Sequence, residues 1–190
     1  MDALEELLGG PQRVRVLKLF IQNPETSFDN TQITRRSRVP ERAVRRELSF
    51  LRRIHFIKSK RLERGRVWLL NPMFPILTPL THLLTNARSL DSSYLVRQFK
   101  SIRGIKLIIA AGIFIKNDRS RVDLLIVQDR ANKRRVETVI RHIEAEAGKE
   151  LTYYICATDD FTYRLGAYDK FIRDILDYPH EKVIDKLGIA

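Results

Sequence analysis

The chain holds one cysteine, Cys156, in 190 residues. That excludes an internal disulfide and any zinc site built from several cysteines. Long apolar runs are also missing. The longest uncharged one, Leu107 to Ile115, is nine residues, about half of the ~20 that cross a bilayer, so no membrane partner is expected. The opening Met1-Asp2-Ala3-Leu4-Glu5-Glu6 is acidic where an export signal is basic, and a cytoplasmic location is expected. There is no glycine-rich phosphate loop. The four histidines, His55, His82, His142 and His180, include no pair at metal-ligand spacing, so neither metal nor cofactor is expected. Apolar types at 44% against 31% charged exclude wholesale disorder.

What the chain has in excess is positive charge, +12 in all, and it is unevenly placed. Residues 1–30 are net −2, residues 31–66 net +10 with thirteen basic and three acidic side chains, and residues 67–190 net +4. A field concentrated in 36 residues attracts a polyanion, and nucleic acid is the commonest one in a cytosol.

The pattern of that third sharpens the reading. Val14, Val16, Leu17, Phe20 and Ile21 predict an amphipathic helix over about Gln12–Gln22, opened by Pro11 and closed before Pro24. Asp29, Asn30 and Thr31 offer caps to a short second helix that reaches about Arg38. After the Val39-Pro40 turn, Val44, Leu48, Leu51 and Ile54 form the inward stripe of a third helix, Glu41 to Arg53. Its other face carries Arg42, Arg45, Arg46, Ser49, Arg52 and Arg53. Two β-prone runs, Phe56–Lys60 and Arg66–Leu70, form a hairpin turned at Gly65.

This order, with the frame Leu17, Phe20, Ile33, Val39, Val44, Leu48, Leu51, Ile54 and Ile57, resembles the winged helix-turn-helix domain of prokaryotic transcriptional regulators. The resemblance implies that the third helix enters the major groove and that the hairpin is a wing along the backbone or minor groove. Arginine donates two hydrogen bonds to guanine N7 and O6. Arg42, Arg45, Arg46 and Ser49 are therefore expected at base edges. Arg35, Arg36, Arg38, Arg52, Lys60, Arg61, Arg64 and Arg66 are expected on phosphates.

Pro72, Pro75 and Pro79 mark a boundary, so residues 1–70 are expected as the DNA-binding domain and 71–90 as a linker with a helix over about Leu80–Arg88. The apolar residues of that linker suggest a contact with a second copy. In residues 91–190, helices and strands alternate: a helix from Ser92, a strand over Ile105–Ile115 covered on both faces, a strand over Arg121–Gln128, and a helix over Lys133–Gly148. A strand over Leu151–Ala157, a long helix over Asp159–Leu176 and a last amphipathic segment follow. The aromatics between Tyr153 and Tyr178 are expected in the core and at a dimer contact. The overall class is α+β, an amino-terminal winged helix-turn-helix domain plus a carboxy-terminal α/β domain.

Ala111-Gly112 after one strand and Asp123 on the next resemble the minimal nucleotidyltransferase fold. In that family a glycine-serine pair turns under a phosphate, and carboxylates two residues apart hold the metal. Gly112 and Asp123 match, whereas Ile113 stands at the serine, Leu125 at the second carboxylate, and the strand through Cys156 has no acid. The resemblance therefore implies a non-catalytic relative with Gly112 and Asp123 lining a degenerate nucleotide pocket. Asp159 and Asp160 are read as a helix cap, Asp118 and Asp129 as loop residues, and Cys156 as a buried inert thiol. The expected function is a DNA-binding regulator of duplex DNA. Its second domain dimerises, senses a nucleotide or small-molecule effector, or recruits a partner. Two other readings stand beside it, an active metal-dependent nucleotidyltransferase and an RNA-binding module.

Overall fold

Side-chain spacing sets most of the helices and strands of the computed structural model, which describes residues 3–63, 65–86, 90–117, 119–129 and 133–189. Arg64, Asp118 and Arg88, the expected end of the linker helix, lie outside these residues. The class is α+β. The chain divides into two compact units, residues 1–89 with 141–150, and residues 90–140 with 151–190. None of the described helices is long and apolar enough to cross a membrane.

In the first unit a short helix, α1 (Ala3–Leu7), precedes α2 (Pro11–Ile21), α3 (Asn30–Ser37) and α4 (Glu41–Arg53). Helix α3 starts on a reciprocal cap. The Asp29 carboxylate accepts from the Gln32 amide at 2.7 Å, and the Gln32 side chain accepts from the Asp29 amide at 2.9 Å. Val44, Leu48 and Leu51 of α4 are buried, as their spacing predicts. Ile54 departs from the expected stripe and is 38% exposed. The helix stops at Arg53, the chain turns, and Phe56 takes the core position, edge-on to Phe74 at 5.3 Å.

A hairpin follows, β1 (Ile57–Leu62) against β2 (Gly65–Leu70), antiparallel with Arg61 opposite Arg66. Phe28 bridges to Trp68 through two backbone bonds of 2.8 Å, which ties the α2–α3 connection to the hairpin. The Trp68 indole N–H donates to Asn30 Oδ1 at 2.8 Å. Helix α5 (Leu77–Asn86) begins three residues before the expected start. Pro79 falls in its first turn, where amides have no intrahelical acceptor, so the proline does not break it. Leu77, Leu80 and Leu84 pack with Phe74 on the first unit's own core, so this stretch is not a free tether.

The second unit contains α6 (Ser92–Phe99), β3 (Ile105–Ala110), β4 (Leu124–Gln128), α7 (Lys133–Ala147), β5 (Tyr153–Ala157), α8 (Thr158–Gly166), α9 (Lys170–Asp177) and β6 (Glu181–Asp185). The last residues of α7 group with the first unit. The sheet order is β5-β4-β3-β6, with only the β4–β5 pair parallel. Central β3 and β4 are almost wholly buried, which explains their unbroken apolar sequence. Both are shorter than expected because the chain leaves β3 after Ala110 and forms a 3-10 turn, Gly112–Phe114. The expected long helix over Asp159–Leu176 is two helices. Tyr168 takes a left-handed φ of 56°, and the Asp169 side chain then caps α9 by accepting from the Phe171 and Ile172 amides. The last amphipathic segment is strand β6. Of the aromatics, Phe161 is in the core and Tyr154 packs on Phe171, but Tyr153, Tyr163, Tyr168 and Tyr178 are exposed and not core residues.

Residues 141–150 brace α2 of the first unit. Arg15 Nε donates to Glu146 at 2.8 Å, Lys18 Nζ to the Glu146 carbonyl at 3.1 Å, and Asn23 to the Gly148 carbonyl at 2.8 Å. Gly148 has a φ of +77°, and a Cβ there would lie 2.5 Å from the Lys18 carbonyl carbon. No side chain relieves a clash with backbone. Gly148→Ala is therefore expected to cost about 2 kcal/mol or more, read as a lowered urea midpoint of the transition reported by Trp68 fluorescence.

Candidate functional site

Burial of Val44, Leu48 and Leu51 turns the opposite face of α4 outward. Arg42, Arg45, Arg46, Ser49, Arg52 and Arg53 are all exposed. Arg45 pairs with Glu41 one turn back at 2.6 Å, both in solvent. Arg46 Nε lies 3.2 Å from Glu47, whose carboxylate is only 2% exposed. The other Glu47 oxygen accepts from Arg13 Nε at 2.7 Å, and the Arg13 guanidinium lies 4.0 Å over the Phe50 ring. Charge pattern alone did not reveal this support, because Glu47 reads as one more surface acid on a charged helix.

The flanking cations divide into exposed and committed groups. Arg35 is exposed, and so is Arg38, which ends α3 with a φ of 53°. Arg36 does not stand free as a phosphate ligand should. Its guanidinium lies 5.0 Å from the Phe28 ring centre and 3.5 Å from Glu150. In the hairpin, Lys58, Lys60, Arg61 and Arg66 are exposed, and Arg66 lies 5.8 Å over Trp68. Lys58 extends the sequence-predicted set; Arg64 is outside the described residues. Arg61 directly opposite Arg66 is a like-charge pair that destabilises a sheet unless an anion sits across it. Among the described residues, no carboxylate pairs with Arg35, Arg42, Arg52, Lys60, Arg61 or Arg66.

A cavity of about 330 Å³ opens beside Arg35 and Arg36, with Arg141 and Lys149 also in its wall. Glu144 and Glu150 line it too, so it is not a strong anion pocket.

Gly112 and Asp123 do come together, and they form a clamp. Gly112 has a φ of +53°, and a Cβ on it would meet Asp123 Oδ1 at 2.0 Å. Oδ1 accepts from the Ile113 amide at 2.9 Å, and Oδ2 accepts from the Thr152 amide at 2.8 Å. The carboxylate thus joins the turn after β3 to the entry of β5. Leu125 is fully buried, and the crevice among Ala111, Val122, Ile175 and Tyr178 has no room for a water molecule. Among the described residues no three or more His, Cys, Asp or Glu side chains are grouped to hold a metal. Burial, with Asp160 nearby, pushes the Cys156 thiol up to about 12, so it is protonated and unreactive at neutral pH.

No protein-family model, curated protein or solved structure matches the chain.

Removing the clamp tests its structural role. Asp123→Ala is expected to cost about 2 kcal/mol through the lost charge-assisted bonds. The check is the thermal midpoint, which should fall for the variant and stay unmoved by millimolar Mg²⁺ in the unaltered protein.

Proposed function

We propose that the first unit is a winged helix-turn-helix module reading duplex DNA and that the protein is a cytoplasmic transcriptional regulator. One observation carries this reading. The outer face of α4 is open and arginine-rich, beside a hairpin whose opposed Arg61 and Arg66 lack a carboxylate partner among the described residues. The α3–turn–α4 order, with Phe28 tied to the hairpin, supports it.

In this reading α4 lies in the major groove. Arg42, Arg45 and Arg46 present planar forks to guanine edges, and Ser49 supplies a smaller donor and acceptor. The Arg45–Glu41 pair is solvent-exposed, so exchanging it for a base costs little. Arg46 is aimed by Glu47, which is itself held by Arg13. Arg35, Arg38, Arg52, Lys60, Arg61 and Arg66 take phosphates. Arg36 contributes through Phe28 and Glu150, fixing α3.

The second unit is, in the same reading, a nucleotidyltransferase-like domain without group transfer. The engaged carboxylate of Asp123 and the buried Leu125 support this. Its role is to dimerise, to bind a small effector or to recruit a partner. A homodimer is supported separately by Met73, 80% exposed, with Ile76 and Leu83 also outward after the other side of α5 has entered the core. Light scattering at micromolar concentration is expected to give twice the chain mass; a monomer mass would remove the dimer.

The DNA reading is tested by fluorescence anisotropy on duplex from upstream of the protein's own gene, beside a scrambled duplex and a structured RNA. Tighter binding to the native duplex is expected, with Arg45→Glu, Arg46→Glu weakening it about 100-fold or more, from two bidentate contacts of ~1–3 kcal/mol each. Equal binding to both duplexes would remove sequence reading. Preference for the RNA would replace DNA with an A-form ligand.

A further inference from the structure

At the end of the second unit's sheet opposite Gly112 and Asp123, strand pairing gathers cations that are far apart in sequence. Ile105 pairs with Gln128, the Asp129 amide donates to the Gly104 carbonyl at 2.9 Å, and the Lys186 amide donates to the Lys106 carbonyl at 2.8 Å. The start of β3, the exit of β4 and the exit of β6 are thereby fixed side by side. Lys100 and Arg103 lead into β3, Lys133 and Arg134 open α7 five and six residues after Gln128, and Lys186 follows β6. All five are exposed. Among the described residues none of the five has a carboxylate partner.

Most of the acids at this end are already used. Asp129 holds Lys106 at 3.2 Å and accepts from the Thr158 hydroxyl at 3.1 Å. Asp185 accepts from the Leu187 and Gly188 amides at 3.0 and 2.8 Å. Asp160 pairs with Arg164, and Asp159, exposed at the start of α8 beside Thr158, is the one acid at this end with no cation within ion-pair distance among the described residues, against five such cations.

The start of α7 adds to the clustering. The first turn of α7 carries no acidic residue, and Lys133, Arg134 and Arg135 stand there instead. The amino end of a helix is its positive pole, so like charge at that position is unfavourable and an anion is favoured.

We propose that this end of the sheet is a second contact for the phosphate backbone of duplex DNA, which rests on the DNA reading of the first unit. The donors sit on strand exits, a loop and a helix start, and no element projects from them to enter a groove. The contact is therefore to phosphates and carries no sequence information. It gives the second unit a phosphate contact of its own and the charge outside residues 31–66 a role.

The experiment uses the full chain and the native and scrambled duplexes, with affinity followed by anisotropy from 50 to 300 mM salt. Each phosphate contact contributes about 0.9 to the slope of log K against log salt. Lys100→Gln, Arg103→Gln, Arg134→Gln is expected to reduce the slope by about 2 to 3 on both duplexes and to leave their affinity ratio unchanged. Arg45→Glu, Arg46→Glu changes that ratio. Lys116→Gln, Arg119→Gln, Lys170→Gln removes the same net charge from other exposed positions and is expected to keep the slope. An unchanged slope in the first variant, or an equal loss in the charge-matched one, overturns the second contact while leaving the DNA reading intact. Absence of duplex binding by the unaltered protein at 50 mM salt overturns both. Vesicles containing phosphatidylserine and an RNA hairpin are run alongside. If the first variant loses only one of these ligands while its duplex slope is unchanged, that ligand replaces DNA and the proposal fails.

Discussion

Glu47 is the constraint on which the first unit's geometry rests. A carboxylate at 2% exposure is destabilising unless its oxygens are satisfied, and here each meets an arginine, Arg13 from α2 and Arg46 from α4. The same buried carboxylate therefore ties α2 to α4 through one oxygen and holds one outward guanidinium through the other. Arg13 is itself seated on Phe50 of α4, a second tie between α2 and α4. Loss of Glu47 would leave Arg13 and Arg46 without this carboxylate, which is why stability and the direction of the Arg46 side chain are linked at this residue.

The second unit uses a carboxylate to a similar end with different partners. Asp123 accepts from two amides on different segments, and Gly112 is needed because any Cβ would occupy the same space as Oδ1. Chemistry with a metal requires carboxylate oxygens facing an open site. These oxygens face backbone, and the neighbouring crevice is closed by Arg121 on Asp174 at 2.5 Å. A residue pair that looks catalytic in a sequence motif here determines how three strands are joined.

Much of the first unit was legible because its signals are local. The limits of α4 follow from Pro40 and the Val44, Leu48, Leu51 spacing, and the hairpin from the β-prone runs around Gly65. Ile54 was misplaced because periodicity does not say where a helix ends. The start of α5 was misread because a proline breaks a helix only after its first turn. In the second unit, the α8–α9 break depended on Asp169 acting as a cap, and β6 on pairing with β3 about 75 residues earlier, which no local pattern encodes. The exposed cations were legible as the polar complement of an apolar stripe. Arg36 was not, because its partners Phe28 and Glu150 are brought to it by tertiary folding.

The brace on α2 also orders events during synthesis. The contacts among α2, α3, α4 and the hairpin join residues within one 60-residue stretch, so they can form early and quickly. Arg15 and Lys18 wait for Glu146, whose separation from them in the chain is 131 and 128 residues. At translation rates of about 5–20 residues per second that interval is roughly 6 to 26 seconds. In the later part of it the chain carries the residues of Glu41–Arg53 while 141–150 have still to be made, so the arginine-bearing segment exists before its unit's brace does.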